Sequence, residues 1–226
     1  MRATLRELAA FITRLPARLR AAAGEPAAPS NTSCGAVLVL PTLLHSDRQT
    51  RALRAAIARQ GYAVFGWGLG RDWGPTPRLM GGAEARLLEI SNAYGPVSLV
   101  GLSMGGLFCR WLAAAYPARV RQVITVCSPF RAPFDSFFLP LRPLLRLWPV
   151  RNLTAQAAAL ERRLPVPETN LYSPRDGIVA WQSCYDPARP QDAAAIDSLH
   201  VLIATDPAVQ AVVLERLEAP VSASPR

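Results

Sequence analysis

Short apolar runs alternate along this chain with longer segments whose apolar residues recur every three or four positions. Apolar runs rich in β-branched residues are typical of strands that a parallel sheet buries on both faces, whereas the longer spacing predicts amphipathic helices. The predicted strands are 36–40, 62–65, 97–100, 120–126, 169–172 and 194–196, and the predicted helices are 47–60, 82–94, 107–115 and 207–218. Because strands and helices alternate, we expect an α/β fold with a mostly parallel, doubly wound sheet of about six strands.

The ends of the first predicted helix carry recognisable signals. An aspartate side chain can accept hydrogen bonds from the free N–H groups of a first helical turn, so Asp47 is expected to cap this helix. Gly61 is expected to end it, since glycine readily adopts the left-handed backbone conformation found just after helices.

The first 33 residues differ in character from the rest of the chain. Residues 1–23 form a predicted amphipathic helix studded with arginines, and residues 24–33 have the composition of a linker. The chain is therefore divided into an N-terminal helix with its linker (1–33) and an α/β domain (34–226). This segment is expected either to pack on the domain as a helix or to be a frayed terminus, and the alternative is a helix that lies on a membrane surface through its basic residues. The sequence shows neither a secretory signal nor an apolar run of transmembrane length.

Charge narrows the range of partners. The formal net charge is +9, every basic side chain is an arginine, and the excess is concentrated in residues 1–30 and 142–163. A nucleic-acid-binding protein would interleave basic clusters with stacking aromatic residues on a recognisable module, which this sequence lacks, so no nucleic-acid partner is expected. An anionic membrane surface stays open as a partner, and the sequence does not indicate an oligomeric state.

The four cysteines indicate neither disulfides nor a metal site. They are widely spaced, form no C-x-x-C pair and lack the spacing of zinc ligands. Cys109 and Cys127 fall in predicted core elements, where a free cysteine acts as a small apolar residue. We therefore expect reduced thiols, no metal and a cytoplasmic location, with peripheral membrane attachment as the alternative.

A glycine-rich turn follows the third predicted strand and precedes a helix. Residues 101–106 read GLSMGG. Between a strand and a helix, a G-x-S-x-G pattern places a serine, here Ser103, on a strained bend with its hydroxyl exposed above the sheet. Glycine is needed at 101 and 105 because a Cβ atom there would collide with neighbouring elements. The alternative is a simple glycine-rich connection without chemistry.

A serine nucleophile requires a base, and the chain offers two histidines. His200 follows the last predicted strand, at the sheet edge where ligands bind in such folds, whereas His45 lies in a different loop. Asp176 follows the fifth predicted strand and can orient the imidazole and stabilise its protonated form. Asp197 is the alternative acid, but it stands too close to the base along the chain to support it.

These motifs resemble those of the α/β-hydrolase superfamily, in its lipase- and esterase-like branch. The matching segments are 101–106, 172–179 and 198–200, and the resemblance extends over residues 36–217. The order Ser103, Asp176, His200 is the order of nucleophile, acid and base in that fold. The resemblance implies an α/β-hydrolase fold and a serine hydrolase without a cofactor, which cleaves carboxylic esters through an acyl-enzyme on Ser103.

The resemblance also implies an oxyanion hole made of two backbone N–H groups. One is the N–H of Met104, just after the serine, and the other is assigned to Leu43 in the loop after the first strand. That loop has Thr42 where the family has glycine. From the family pattern we expect Thr42→Gly to preserve or raise turnover.

Residues 131–165 lie where family members insert a lid. The segment is unusually apolar, with arginines between the apolar residues, and its alternative is a helix packed over the core. An apolar lid favours a small-molecule or lipid ester with an apolar acyl or alcohol part. The residues expected to line the substrate site are Leu44, His45, Trp67, Phe130, Phe134 and Phe138.

Other functions are compatible with the same residues. A thioesterase, acyltransferase or amidase would keep the three side chains and change the leaving group or the acceptor. A non-catalytic hydrolase-like protein would instead bind a lipid or a membrane surface through the basic N-terminal helix and the apolar lid. Reaction with a fluorophosphonate separates these two classes.

Overall fold

A computed structural model describes residues 34–131 and 158–218 of the chain. Six strands within these residues form one sheet in the order β2-β1-β3-β4-β5-β6, and every neighbouring pair is parallel. The strands are β1 (Ala36–Leu40), β2 (Ala63–Gly66), β3 (Val97–Leu102), β4 (Val120–Val126), β5 (Glu168–Tyr172) and β6 (Ala193–Ala195). The predicted parallel α/β sheet of six strands is thereby confirmed.

Helices cover both faces of this sheet. Those whose bounds lie within the described residues are α1 (Arg51–Arg59), α2 (Pro77–Tyr94), α3 (Met104–Ala115) and α4 (Pro207–Glu218). Helices α2 and α3 pack on one face in one hydrophobic cluster, and α1 and α4 pack on the other face in a second cluster. Every residue of β1 and β3 is buried, as expected for strands whose two faces are both covered.

Strand β1 shows how the two layers divide its side chains. Leu38 and Leu40 belong to the cluster with α2 and α3, while Val37 and Val39 belong to the cluster with α1 and α4. Alternate residues of a strand point to opposite faces, so a strand covered on both sides needs apolar residues at every position. Because all strands are parallel, the loops that follow them gather at one edge of the sheet, where ligands bind in such folds.

Two helix starts differ from the sequence expectation. Helix α1 begins at Arg51 after Thr50, and Asp47 instead accepts hydrogen bonds from the backbone N–H groups of Trp67 (3.0 Å) and Gly68 (2.9 Å), beyond β2. Helix α2 begins at Pro77, five residues earlier than predicted, because Thr76 caps it and proline is favoured in a first turn. The prediction that Asp47 caps helix α1 is wrong, because its carboxylate bonds to the backbone that follows β2.

Several sequence predictions lie outside the described residues. They are the N-terminal helix and linker (1–33) and most of the apolar segment 131–165, including Phe134 and Phe138. The division into two regions and the lid therefore stay predictions. No helix among residues 34–131 and 158–218 combines the length and apolar character that a membrane crossing needs.

Candidate active site

Ser103 occupies a strained bend between β3 and α3. Its φ is 50° and its ψ is −114°, a backbone conformation that L-residues rarely adopt. The bend is fixed on both sides, because the N–H of Ser103 donates to the carbonyl of Val126 in β4 (2.8 Å) and its own carbonyl accepts from the N–H of Gly106 (3.0 Å). Strain of this kind persists only where the surrounding structure enforces it, and it is common at functional sites.

Two glycines make this bend possible through close backbone approach. A Cβ atom on Gly101 would collide with the backbone of Gly106, at the start of α3. A Cβ atom on Gly105 would lie 2.5 Å from the carbonyl oxygen of Leu40, at the end of β1. The start of α3 therefore packs directly against the carboxyl ends of β1 and β3, as predicted from the spacing of the glycines.

The structure brings together the three side chains that the sequence placed in separate loops. The Nε2 atom of His200 lies 3.0 Å from the Oγ of Ser103, and its Nδ1 lies 2.6 Å from the Oδ2 of Asp176. All three residues are buried, and His200 begins a short 3-10 turn after β6. In this arrangement the imidazole can take the hydroxyl proton on one nitrogen while the carboxylate stabilises the other.

The local environment keeps Asp176 ionised. Burial acts to raise the pKa of this carboxyl, but the hydrogen bond with His200 and the backbone N–H groups of Val179 (2.8 Å) and Ile178 (2.9 Å) outweigh it and lower the pKa below its ordinary value. The acid-bearing loop is tied to the histidine loop, since the Oγ of Ser173 donates to the carbonyl of Ser198 (2.6 Å). The carboxylate is thus held as an acceptor for the imidazole.

The alternative acid, Asp197, lies elsewhere. Its carboxylate pairs with the guanidinium of Arg175 at 3.1 Å, and both side chains are largely exposed. The carboxylate that contacts His200 is that of Asp176.

A cysteine that the sequence analysis treated as a core residue lies beside this group. The ligand-type atoms of Cys127, Asp176 and His200 lie within 4.8 Å of one another. Cys127 is fully buried, and burial together with the neighbouring Asp176 raises the pKa of its thiol. Since a thiol must be deprotonated to attack a carbonyl or to bind a metal, this environment favours neither role for Cys127.

The loop after β1, residues 41–45, packs against the start of α3. Two backbone N–H groups of this loop have acceptors. The N–H of Thr42 donates to Gln49 Oε1 (3.1 Å), and the N–H of Leu44 donates to the carbonyl of Asp72 (2.7 Å). Among the described residues, the N–H groups of Leu43 and Met104 have no acceptor. The N–H of Met104 stands in the first turn of α3, where such groups lack partners within the helix.

The side chain of Thr42 holds this loop in shape. Its Oγ1 accepts a hydrogen bond from Gln49 Nε2 (2.9 Å) and lies 2.9 Å from Nδ1 of His45. Thr42 is buried, and glycine could make none of these side-chain contacts. These contacts favour a loosened loop in Thr42→Gly, so the expectation that this variant preserves or raises turnover stays a prediction to be tested.

The predicted lining residues fall into two groups. Leu44 and His45 are exposed at the carboxyl edge of the sheet. Trp67 lies in the core, with its indole N–H donating to the carbonyl of Gly70 (2.9 Å) and its ring edge-on to Phe108. Phe130 is fully buried beneath the guanidinium of Arg110, 3.9 Å from its ring centroid. For Trp67 and Phe130 the structure therefore indicates core packing.

Asp72 is a feature of the site that the sequence analysis missed. It lies in the glycine-rich loop after β2, is fully buried, and exchanges backbone hydrogen bonds with the 41–45 loop. The only signal in the sequence was its position between two glycines in a long loop, at Gly70 and Gly74, and that pattern also suits an ordinary surface turn.

Comparisons with known proteins agree with this architecture. A family model described as the alpha/beta hydrolase fold matches residues 85–164. No curated protein sequence matches the chain significantly.

Solved structures match over most of the chain at low identity. The metagenome-derived lipolytic enzymes LipS and LipT match with a TM-score of 0.57 and 18% identity over 80% of this chain and 90% of theirs. A thioesterase domain from the curacin biosynthetic pathway matches with a TM-score of 0.56 and 15% identity over 81% and 90%. The mouse alpha/beta hydrolase domain-containing protein 10 matches with a TM-score of 0.53 and 18% identity over 81% and 88%. On its sheet order, its strained serine turn and these matches, the chain has the α/β-hydrolase fold.

Proposed function

We propose that this protein is a serine hydrolase that cleaves carboxylic esters through an acyl-enzyme on Ser103. The observation that carries the proposal is the hydrogen-bonded series from Ser103 through His200 to Asp176, which starts on a strained bend. A serine hydroxyl is a weak nucleophile unless a positioned base removes its proton, and this series supplies that base.

In the proposed reaction, the Oγ of Ser103 attacks the ester carbonyl while Nε2 of His200 takes its proton. Asp176 stays ionised and stabilises the imidazolium that forms, because its own pKa is lowered. The N–H groups of Met104 and Leu43 donate to the oxyanion. His200 then returns the proton to the leaving alcohol, and a water molecule activated by the same imidazole hydrolyses the acyl-enzyme.

Exposed apolar side chains near this site support an apolar substrate. Leu199, Val201 and Leu202 flank His200, and all three are exposed. Leu44 and Trp73 are exposed on the loops that carry the proposed oxyanion donor and its support. Large exposed apolar residues on the loops that carry His200 and the proposed oxyanion donor favour an ester with an apolar acyl or alcohol part over a charged metabolite.

Substitution of the proposed nucleophile tests this function. Ser103→Ala should lower hydrolysis of short- and medium-chain p-nitrophenyl esters by roughly 10⁴-fold or more, because it removes the hydroxyl on which the proposed acyl-enzyme forms. A fluorophosphonate probe should label the wild-type chain, and peptide mass mapping should place the label on Ser103. Ser98→Ala is the matched control, since Ser98 is a buried serine of β3, the strand that precedes Ser103, and its Oγ accepts from Gln122 at 3.4 Å.

A comparison of ester and thioester substrates distinguishes an esterase from a thioesterase, and the absence of any reaction indicates a non-catalytic protein. Acyl-thioesters cleaved faster than the matching esters would assign a thioesterase, the activity named for one of the similar structures. A folded wild-type protein that neither turns over esters nor reacts with the probe would refute the proposal and favour a non-catalytic lipid-binding protein.

A further inference from the structure

Asp72 is a fully buried carboxyl group whose charge is not balanced. Its Oδ1 accepts a hydrogen bond from the N–H of Gly74 (2.7 Å), while its Oδ2 has no partner among the described residues. Burial raises the pKa of this carboxyl to about 7, and no charged side chain contributes to that shift. A buried polar atom without a partner is costly, so its presence calls for a physical explanation.

The backbone of Asp72 is hydrogen-bonded to the 41–45 loop on both sides. The N–H of Leu44 donates to the carbonyl of Asp72, and the N–H of Asp72 donates to the carbonyl of His45, each at 2.7 Å. These two bonds join the loop after β2 to the loop after β1. They lie next to Leu43, whose N–H has no acceptor among the described residues.

The residue held by these bonds is itself strained. Leu44 has a φ of 64°, in the left-handed region that a branched, non-glycine residue seldom adopts. A residue in that region keeps its conformation only where its surroundings enforce it. The turn closed by the Asp72 carboxyl and the N–H of Gly74 fixes the backbone that provides this constraint.

We infer that Asp72 is a positioning residue for the oxyanion hole. Its carboxyl fixes the turn at residues 72–74, the backbone of that turn holds Leu44 and His45, and the constrained loop presents the N–H of Leu43 to the substrate carbonyl. The last of these steps rests on the proposed function, whereas the first two concern the loop alone. Asp72 acts through the loop and does not touch the substrate.

Comparison of an ester with its thionoester isolates this role. In a thionoester, sulfur replaces the carbonyl oxygen and is a poor hydrogen-bond acceptor, so its hydrolysis gains less from oxyanion donors. Asp72→Ala should lower kcat/KM for the ester by roughly 10-fold or more and lower that for the thionoester less. The ratio of the two should therefore fall. Asp72→Asn keeps an oxygen for the N–H of Gly74 and should restore the ratio.

Asp186→Ala is the matched control, because Asp186 closes the same kind of turn by accepting from the N–H of Ala188 (3.0 Å), outside the site. It should leave the ratio unchanged. If Asp72→Ala does not fold, Asp72→Ser retains a weaker acceptor and should give an intermediate ratio. A ratio that stays at the wild-type value in folded Asp72→Ala or Asp72→Ser overturns the inference, since a merely structural defect would slow both substrates equally.

Residue-resolved hydrogen–deuterium exchange separates the inference from the proposed function. The N–H of Leu44 should exchange roughly 10-fold faster or more in Asp72→Ala than in the wild type, as its acceptor becomes mobile. If the wild-type protein cleaves neither substrate, the proposed function fails and the exchange rate alone decides whether Asp72 positions the loop. Unchanged exchange at Leu44 would then overturn the inference.

Discussion

Backbone strain is concentrated at the site. Leu44, Ser103 and Cys127 are the non-glycine residues with positive φ in the described part of the chain. Leu44 belongs to the loop that carries the proposed oxyanion donor, Ser103 is the proposed nucleophile, and Cys127 lies beside Asp176. Each occupies a conformation that costs on the order of 1–3 kcal/mol, so the surrounding hydrogen bonds must hold it. The conformation of these three residues therefore depends on the hydrogen bonds that surround them.

Substitution of Thr42 tests whether one side chain is needed to hold the 41–45 loop in its conformation. Thr42→Val keeps the branched shape but removes the hydroxyl that contacts Gln49 and His45. We expect kcat for ester hydrolysis to fall about 10-fold or more, because a loosened loop positions its N–H donor less well. Thr42→Gly should lose at least as much, contrary to the expectation from the family pattern.

Thr42→Ser serves as the control, because serine retains the hydroxyl. It should stay within a few-fold of wild type in steady-state assays, and fluorophosphonate labelling of all three variants reports whether Ser103 is still reactive. Equal turnover by the valine and serine variants would show that the hydroxyl does not support the loop.

At the scale of elements, one buried arginine of helix α3 contacts described residues on both sides of segment 132–157. The guanidinium of Arg110 stacks on Phe130 at one end and donates to the carbonyls of Leu160 and Arg162 at the other, each at 2.8 Å. It also pairs with Glu168 at the start of β5. Because α3 begins at Met104, directly after Ser103, these contacts tie residues 130, 160, 162 and 168 to the helix that follows the serine turn.

Replacement of Arg110 should therefore destabilise the domain strongly. Arg110→Met leaves Glu168 buried with one cation fewer and two carbonyls without a donor, and we expect the free energy of unfolding to fall by about 3–5 kcal/mol. Urea denaturation measures this loss. Arg175→Met is the matched control at an exposed ion pair and should cost less than about 1 kcal/mol. Similar losses of unfolding free energy in the two variants would show that the buried contacts of Arg110 stabilise the domain no more than an exposed ion pair does.

For the whole molecule, the regular features were predictable and the long-range polar contacts were not. Alternating apolar runs predicted the parallel sheet, and the order of Ser103, Asp176 and His200 predicted that these side chains meet. The roles of Asp47 and Asp72 could not be predicted, because each holds a loop distant in sequence, and a polar residue in a loop looks locally like turn or cap chemistry. Only the packed fold shows which backbone each carboxyl faces.

The buried charge of Asp72 also makes the stability of the whole domain depend on pH. Its folded-state pKa is about 7, above the ordinary value near 3.9 that it has when unfolded, so between these values the folded state binds more protons than the unfolded state. The contribution of Asp72 is therefore most favourable at low pH, and it is lost progressively as the pH rises towards about 7. Asp176 has the opposite shift and is shared by wild type and variant, so its effect cancels in a comparison.

Asp72→Asn removes this titration and should gain stability relative to wild type as the pH rises. The difference in unfolding free energy between variant and wild type should grow by up to about 4 kcal/mol from about pH 4 to about pH 8, in favour of the variant, and then level off. Denaturation curves at intervals across this range measure the difference. Asp186→Asn is the control of opposite sign, because the N–H of Ala188 lowers the pKa of Asp186, and this variant should show no gain over wild type as the pH rises. If Asp72→Asn also shows no gain, water or a nearby group satisfies the Asp72 carboxylate, and its burial does not make the stability of the fold depend on pH.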